Sequence, residues 1–311
     1  MKSFLRSAFF GILSASSVLS LPLEARQEQT ISDLDVLQFA LTLEHLENVF
    51  YKGALQRFSE QHFHAAGFDS KFFSQVKFVA SDEQAHVVFL TDAIAAAGGT
   101  PVAACQYEFP YTDVRSFVAL ASVLEGVGVS AYLGGAAVLS SKDILTAAGA
   151  ILVAEGLHQA VHRDSLHQVA SAKIVGTPLG PNGIFTLASA FISSCPEGNP
   201  PLPFQAFPGL SPAQGNPNTV RSLTGFRVIG AIQPPEAFFV TFVNGLDVIS
   251  VPGSHVDGIY SAEIPTEASG QTFAFLTNAD VTGGFQDSAV IAGPAIIEVT
   301  PAAPNIDFSI L

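Results

Sequence analysis

Two short steps of glutamate and histidine are the residues of this chain best suited to bind a metal. Glu83 and His86 form one E-x-x-H step, and Glu155 and His158 form a second. Residues three apart share a face of a helix, so each step presents a carboxylate and an imidazole side by side. Such a pair offers one hard and one borderline ligand to a divalent cation. Either step alone would be weak evidence, so the surrounding pattern decides.

A further glutamate precedes each step, and a tyrosine follows that glutamate seven residues later. These residues are Glu44 and Tyr51 in the first half, and Glu125 and Tyr132 in the second. Both glutamates sit within apolar helical stripes, where a carboxylate needs a proton, a cation or hydrogen bonds. Glu47 lies near the same face as Glu44, but it has no tyrosine seven residues on. The sequence therefore predicts a repeated half-motif with Glu44 as the ligand from the first helix.

Four long amphipathic helices are expected to position these residues. The first begins at Ser32 or Asp33 and ends near Arg57, and a short fifth helix is expected near the end of the helical part. A long connection separates the second helix from the third, which favours a four-helix bundle with its glutamates converging inside. The remaining helices are expected at about 70–97, 113–140, 142–172 and 182–193.

After residue 200 the apolar pattern changes to a period of two, which is typical of strands. Runs at 237–243 and 246–251, joined by Asn244-Gly245, predict a hairpin with a type I′ turn. His255 is expected to be a loop residue without a catalytic role. Several short strands in about a hundred residues predict a β-sandwich; the others are expected at 226–231, 259–264, 272–277 and 289–299.

The chain is thus expected to be an α+β protein with two domains and an N-terminal signal peptide. Lys2 and Arg6 precede a short apolar run, which is the pattern of a secretory signal, and cleavage after Ser20 and after Ala25 both fit. The predicted organisation is a signal peptide over 1–25, a helical bundle over 26–195, a linker over 196–225 and a β-rich domain over 226–311.

Charge and cysteine content restrict the partners and the compartment. The net charge of −14, with only 13 lysines and arginines, argues against binding to nucleic acid or to anionic membranes. No later stretch is predicted to span a membrane. In an exported chain Cys105 and Cys195 suggest one disulfide, with two buried thiols as the alternative. We expect a secreted protein, located outside the cell or in the cell wall.

The run from Ala40 to Tyr51, together with both E-x-x-H steps, resembles the secreted ferritin-like proteins of fungi and the desiccation-related proteins of plants. The resemblance covers roughly residues 30–195 and implies a ferritin-like four-helix bundle. The wider superfamily, which includes bacterioferritins and rubrerythrins, implies a site for two iron or manganese ions. By that resemblance Glu44 and Glu125 are terminal ligands, Glu83 and Glu155 bridge, and His86 and His158 each bind one metal. Tyr51 and Tyr132 are then expected to hydrogen-bond to carboxylates across the bundle.

A ligand set does not name a reaction, so three functions remain open. The first is a di-iron or dimanganese oxidoreductase that handles oxygen or peroxide in a stress response. The second is a metal-binding or storage protein without turnover, and the third is a structural protein of the cell wall or matrix. A metal-free network of buried glutamates and histidines is the alternative to any metal site. Glu47, Asp82 and Asp164 are expected on solvated faces, and His162 in a satisfied environment.

Overall fold

A computed structural model describes residues 31–213, 218–230, 232 and 235–310. The signal peptide predicted over 1–25 lies outside these residues. Ile31–Leu311 form one compact unit, in which helices come first and strands follow.

Four long helices make the bundle, and each begins at a side chain that caps it. Ser32, Asp69, Asp113 and Ser141 accept hydrogen bonds from backbone N–H groups of their first turns, which satisfies donors that a helix start leaves free. The long helices are α1 (Asp33–Arg57), α3 (Ser70–Ala96), α4 (Val114–Ala136) and α5 (Lys142–Ser165).

Two shorter helices complete the helical part. The segment with His62 and His64, which reads as a loop in the sequence, instead forms α2 (Glu60–Ala65). Phe63 on this helix is fully buried, and that apolar anchor explains why the segment folds against the bundle. The last helix, α6 (Pro181–Ser189), begins with proline in its first turn, where proline is favoured, and ends before the predicted residue 193.

Hydrogen bonds between helix termini show which helix ends lie next to each other. Asp33 at the start of α1 accepts bonds from the backbone N–H groups of Ser140 and Ser141 at the start of α5, at 2.7 and 2.9 Å. Arg57 at the end of α1 donates to the carbonyls of Tyr111 and Thr112 before α4. The start of α1 therefore meets the start of α5, and its end meets the start of α4.

A disulfide fixes the long connection between α3 and α4. Cys105 and Cys195 are bonded, 90 residues apart in sequence, which confirms the predicted pairing. Beside it, β1 (Gln106–Tyr107) pairs antiparallel with β2 (Ile192–Ser194). The crossing connection is therefore attached to the segment that leaves α6.

The C-terminal part consists of two four-stranded antiparallel sheets. One has the order β10-β9-β5-β6 and the other β3-β4-β8-β7. The strands are β3 (Gly209–Pro212), β4 (Leu223–Ile229), β5 (Phe239–Asn244), β6 (Asp247–Pro252), β7 (Ser254–Val256), β8 (Ile259–Glu263), β9 (Gly270–Thr277) and β10 (Val290–Val299). The segment predicted as a linker over 196–225 is therefore not only a linker, because β3 and the start of β4 lie within it.

The first sheet is the middle layer of the molecule. Phe242 and Leu276 on one face pack in a core with the second sheet, whereas Phe273 and Phe275 on the other face join the core of the helices. Alternate side chains of a strand point to opposite faces, so strands buried on both sides are apolar throughout. The helical and β parts consequently share a hydrophobic core.

The predicted hairpin forms, but its turn is displaced by one residue. Asn244 pairs with Asp247, so the central residues are Gly245 and Leu246. Of these, only Gly245 has a positive φ, of +61°, which is the pattern of a type II′ rather than a type I′ turn. The reason is the Asn244 side chain, which donates to the carbonyls of Ser269 and Gln271 and keeps this residue in the strand.

Helices α4 and α5 are long and apolar enough to cross a membrane by length and composition alone. Their most apolar windows have mean hydropathies of 1.6 and 1.5, although the sequence predicts no spanning segment. Each carries a fully buried glutamate, Glu125 or Glu155, that faces the other helices of the bundle. Because the core helix of a soluble protein passes the same test, this finding is weak evidence for a membrane.

Candidate metal centre

Four glutamates from four helices meet inside the bundle. Glu44 comes from α1, Glu83 from α3, Glu125 from α4 and Glu155 from α5, and none is more than 1% exposed. Each lies well inside its helix, so the crossing helices bring the four carboxylates together. The repulsion among four buried anions is costly unless protons or cations neutralise them.

Their oxygen atoms, together with histidine nitrogens, form two overlapping groups of potential ligands. Glu44 and His86 belong to one group and Glu125 and His158 to the other, while Glu83 and Glu155 belong to both. Within each group one donor atom per residue lies within 4.8 Å of every other. All six residues that the sequence singles out as ligands are thus present in one cluster.

The two tyrosines connect the halves of the cluster reciprocally. The Tyr51 hydroxyl on α1 donates to Oε1 of Glu125 on α4, and the Tyr132 hydroxyl on α4 donates to Oε1 of Glu44 on α1, the latter at 2.5 Å. Each tyrosine therefore orients the glutamate of the other half-motif. This exchange fixes α1 and α4 in register.

The two histidines point Nδ1 at the carboxylates. His158 Nδ1 lies 3.0 Å from Glu83 Oε1 and 3.2 Å from Glu125 Oε2, and His86 Nδ1 lies 3.1 Å from Glu44 Oε2. His158 Nε2 lies 3.2 Å from Asp82 Oδ2. Asp82 is half-exposed, as expected, but it also holds this ring, a role that the sequence did not reveal. A carboxylate on the outer nitrogen is a common support for a metal-binding histidine.

His162 extends the tyrosine network on one side only. It is fully buried, and its Nε2 lies 2.8 Å from the Tyr51 hydroxyl. Because that hydroxyl donates its single proton to Glu125, the histidine must donate to the hydroxyl oxygen. Burial lowers the pKa of His162 to about 4, so the ring is neutral at pH 7. Its spacing of four residues from His158 is the signal that places both on one face.

Glu47 is a fifth buried carboxylate, and its expected solvated position is wrong. It is 5% exposed, and it lines a cavity of about 160 Å³ between α1, α4 and the β part, formed with residues such as Leu210 and Ile229. The β strands therefore cover a face of α1 that would be open in an isolated bundle. Asp164 on α5 is exposed, as expected.

Gly128 on α4 makes room for the cluster. A Cβ atom at this position would lie 2.2 Å from Glu155 Oε2 and 3.4 Å from Glu47 Oε1. At a distance below 3 Å something must shift, so a larger residue here would displace the carboxylate of Glu155 from the space that it occupies. The glycine is a sequence feature of the site rather than a flexible point of the helix.

Burial and mutual repulsion shift the ionisation of the acids in the chain without ions. Burial, followed by repulsion from Glu44 and Glu125, raises the pKa of Glu83 to about 7. Burial, followed by repulsion from Glu83, raises the pKa of both Glu47 and Glu155 well above their usual range. The cluster consequently holds protons at pH values where exposed glutamates have none.

The pKa values of His86 and His158 shift in the opposite direction to that of His162. Burial alone would lower the pKa of His158, but its contacts with Glu125 and Glu83 outweigh burial and raise the value to about 11. Contacts with Glu44 and Glu83 likewise overcome burial and raise the pKa of His86 to about 10. The carboxylates thus attract a positive charge at both histidine positions.

The pattern of unpaired atoms fits metal ions. Five carboxylate oxygens are buried without a hydrogen-bond partner, namely both of Glu83, both of Glu155 and Oε2 of Glu125, and His158 Nδ1 lacks one as well. His158 Nδ1 is close to Glu83 and Glu125, but the geometry is not that of a hydrogen bond. Orphaned buried polar atoms are rare and are often explained by an ion. Four carboxylates and two imidazoles suit iron, manganese or zinc.

Two solved structures and one relative resemble part of the chain. A ferritin-like di-iron-carboxylate protein from Bacillus anthracis is 20% identical, with a TM-score of 0.37 over 43% of this chain and 94% of that one. A conserved hypothetical protein from Mycobacterium tuberculosis is 18% identical, with a TM-score of 0.38 over 43% and 91% of the two chains. Protein rds1 of Schizosaccharomyces pombe is 27% identical over 187 residues, which are 57% of this chain and 44% of that protein. The match thus spans less than half of this relative's length.

A model of the ferritin-like domain matches residues 32–168. This range begins at the cap of α1 and ends just after α5, and it includes the four glutamates and two histidines of the cluster. It excludes α6 and both sheets. The chain therefore contains a ferritin-like domain at residues 32–168, followed by an antiparallel β region.

Proposed function

We propose that the cluster binds two metal ions, iron or manganese. Glu83 and Glu155 would bridge the ions, because they belong to both ligand groups. Glu44 and His86 would complete one position, and Glu125 and His158 the other. The observation that carries this proposal is the set of five buried carboxylate oxygens without hydrogen-bond partners at the point where the groups overlap.

We further propose that this centre handles oxygen or peroxide in a stress response. Bound iron or manganese would supply redox chemistry and Lewis acidity between its ligands. The chain supplies the surroundings: Tyr51 and Tyr132 orient the terminal glutamates, and Asp82 orients His158. Neutral His162 donates to Tyr51, so that side of the centre carries a fixed hydrogen-bond chain.

A metal-binding protein without turnover is the alternative that the same residues support. A purely structural role in the cell wall leaves the orphaned oxygens without an explanation, and it is the weaker candidate. Export is part of the proposal, and the Cys105–Cys195 bond supports it, since disulfides persist in oxidising compartments.

Metal analysis of the purified chain is the first test. The wild-type protein, incubated with excess ferrous or manganous ion and then desalted, should retain two ions per chain. Glu83→Gln and Glu155→Gln should each lose both ions, because each removes a bridge. Glu60→Gln, which changes a glutamate that is half-exposed on α2, is the matched control and should keep two. Retention of less than one ion by the wild type would overturn the proposal.

Turnover needs a separate measurement. The ferrous-loaded protein is mixed with oxygen or hydrogen peroxide in a stopped-flow instrument, and its oxidation is compared with that of free ferrous ion in the same buffer. We expect faster oxidation, and we expect Glu125→Ala to lose it. Oxidation no faster than that of the free ion would remove the catalytic role and leave metal binding alone.

A further inference from the structure

One end of the bundle contains an apolar cavity beside the proposed metal centre. Its volume is about 260 Å³. Of the described residues that line it, only Tyr132 and Asp143 have polar side chains. The Tyr132 hydroxyl donates to Glu44, so one hydrogen bond separates the inner end of the cavity from a proposed ligand, although no proposed ligand is among the described residues that line the cavity. Asp143 is exposed in the first turn of α5, at the outer end.

The cavity follows the bundle axis away from the ligands. Its walls lie one helical turn from the cluster on three helices: Ala40 precedes Glu44 by four residues, Leu90 follows His86 by four, and Ile151 precedes Glu155 by four. Phe89 and Val138, which are 48% and 41% exposed, mark where it reaches the surface. The cavity therefore extends from Tyr132, beside the proposed centre, towards the surface between apolar walls.

Among the residues that the structure describes, the opposite end of the bundle is packed with larger side chains at several corresponding positions. Each residue of one half-motif has a counterpart in the other. Counterparts on α1 and α4 are 81 residues apart, as Glu44 and Glu125 are, and counterparts on α3 and α5 are 72 residues apart, as Glu83 and Glu155 are. At the filled end Phe50, Phe58 and Phe72 are buried. Their counterparts by these offsets are Ala131, Leu139 and Ile144, all of which line the cavity.

The same comparison shows that the two ends of the bundle also differ in their polar side chains. The counterpart of His162 is Leu90, so the cavity side has an apolar residue where the other side has a neutral histidine bonded to tyrosine. Three aromatic rings and one imidazole of the filled end are thus replaced by aliphatic residues, whereas Phe39 and Phe89 of the cavity wall have Leu120 and Val161 as their counterparts. Packing that is dense at one end and open at the other indicates that the space has a use, since protein interiors are normally filled.

We propose that this cavity binds an uncharged aliphatic chain of about ten carbons, with its inner end against Tyr132. The size follows from an apolar cavity of about 150 Å³ that holds the six carbons of benzene. Asp143 at the mouth disfavours an anionic head group, and it can accept a hydrogen bond from a hydroxyl. Binding itself does not require metal, whereas a role for this molecule as the substrate of the centre rests on the proposed function.

Isothermal titration with 1-decanol, on the metal-free and the metal-loaded chain, tests the proposal. We expect saturable 1:1 binding to both forms. Across the alcohols from hexanol to dodecanol, affinity should rise about fourfold per methylene up to about decanol, the gain expected for burying one such group. It should level off beyond about ten carbons, when the cavity is full. Decanoate should bind at least tenfold more weakly than decanol.

Two variants restore the aromatic rings of the filled end. Ala131→Phe and Ile144→Phe should each weaken decanol binding at least tenfold, and the second keeps the test valid if the first does not fold. Ala150→Phe, an exposed position on α5, is the matched control and should change binding less than twofold. Absence of saturable binding, filled variants that bind like the wild type, or equal binding of decanoate would overturn the proposal. If the wild-type chain binds decanol but retains no metal after loading and desalting, the cavity proposal is supported and the proposed metal centre is wrong.

Discussion

At the scale of single residues, the absence of a side chain at Gly128 determines where the Glu155 carboxylate lies. Gly128 leaves the space that the Glu155 carboxylate occupies, whereas Gly149 on α5 faces open space. Both glycines cost helix stability relative to alanine, by about 1 kcal/mol each. Only at Gly128 is that cost offset by a function.

We expect Gly128→Ala to weaken metal binding at least tenfold, because the new Cβ displaces the bridging Glu155. The gain in helix propensity should be cancelled or exceeded by overpacking, which costs about 1–3 kcal/mol. Gly149→Ala is the control: it should stabilise the chain by about 0.5–1 kcal/mol and leave the metal content unchanged. Metal analysis and urea unfolding measure both effects. A Gly128→Ala protein that binds two ions normally would show that Glu155 does not need this space.

The shifted acids of the cluster predict how stability depends on pH without metal. Glu83 titrates at about 7 in the folded chain, against a usual value near 4.5, so the folded state binds more protons than the unfolded state between these values. Stability should therefore fall as pH rises from about 4.5 through 7, by on the order of 3 kcal/mol for this group. Urea unfolding in the presence of a chelator, at pH 5 and pH 8, measures the difference.

Metal should reverse that dependence, since ions displace protons from the carboxylates. At pH 8 the loaded protein should be more stable than the chelated one, and the gap should narrow towards pH 5. The exposed-site variant Glu60→Gln should behave like the wild type in both conditions. A metal-free chain that becomes more stable between pH 5 and pH 8 would contradict the protonated state assigned to these acids.

At the scale of elements, an ion pair between a buried arginine and a partly exposed glutamate joins the last bundle helix to the last strand. Arg163 on α5 donates two hydrogen bonds to Glu298 on β10, at 2.9 and 2.7 Å. Arg163 is 3% exposed, so its charge would be left without compensation if the glutamate were removed. The pair lies where the helical part and the first sheet meet.

We expect Glu298→Ala to destabilise the chain by about 2–4 kcal/mol, because an unpaired guanidinium stays buried. Asp247→Ala removes the partner of Lys173 in a half-exposed pair, and it should cost less than about 1 kcal/mol. Equilibrium unfolding of the two variants gives the comparison. Equal costs for both would mean that the Arg163 pair is solvated in practice.

At the scale of the whole molecule, the sequence was sufficient for the parts that depend on periodicity. The four long helices, the hairpin and the disulfide follow from spacing, caps and cysteine content. The sequence was insufficient for the features that depend on tertiary contacts. Glu47 is buried because β strands cover α1, and the hairpin turn moves by one residue because the Asn244 side chain bonds to the β8–β9 connection and to β9. The reciprocal tyrosine bonds also need the register of α1 and α4, which no local pattern contains.

The disulfide stabilises the molecule as a whole, because it closes a loop of about ninety residues that contains α4, α5 and α6. Replacing Cys105 and Cys195 together by serine should cost about 4–5 kcal/mol in the chain-entropy model. Thermal unfolding of the double variant, compared with the wild type before and after reduction, measures this. If reduction leaves the midpoint of the wild type unchanged, the bond does not contribute to equilibrium stability.

The reciprocal bonds of Tyr51 and Tyr132 have a consequence for how the centre is assembled. The segment through α3 supplies one terminal glutamate, one E-x-x-H step and one tyrosine, and α4 and α5 supply the matching set. Each tyrosine orients a carboxylate of the other set, so neither fragment holds an ordered site alone. If the backbone were cut in the crossing connection before Cys105, so that the Cys105–Cys195 bond does not join the fragments, metal uptake would report reassociation of the two fragments. Ion binding at the proposed centre would in that sense be an association of two halves that the backbone between α3 and α4 holds in one chain.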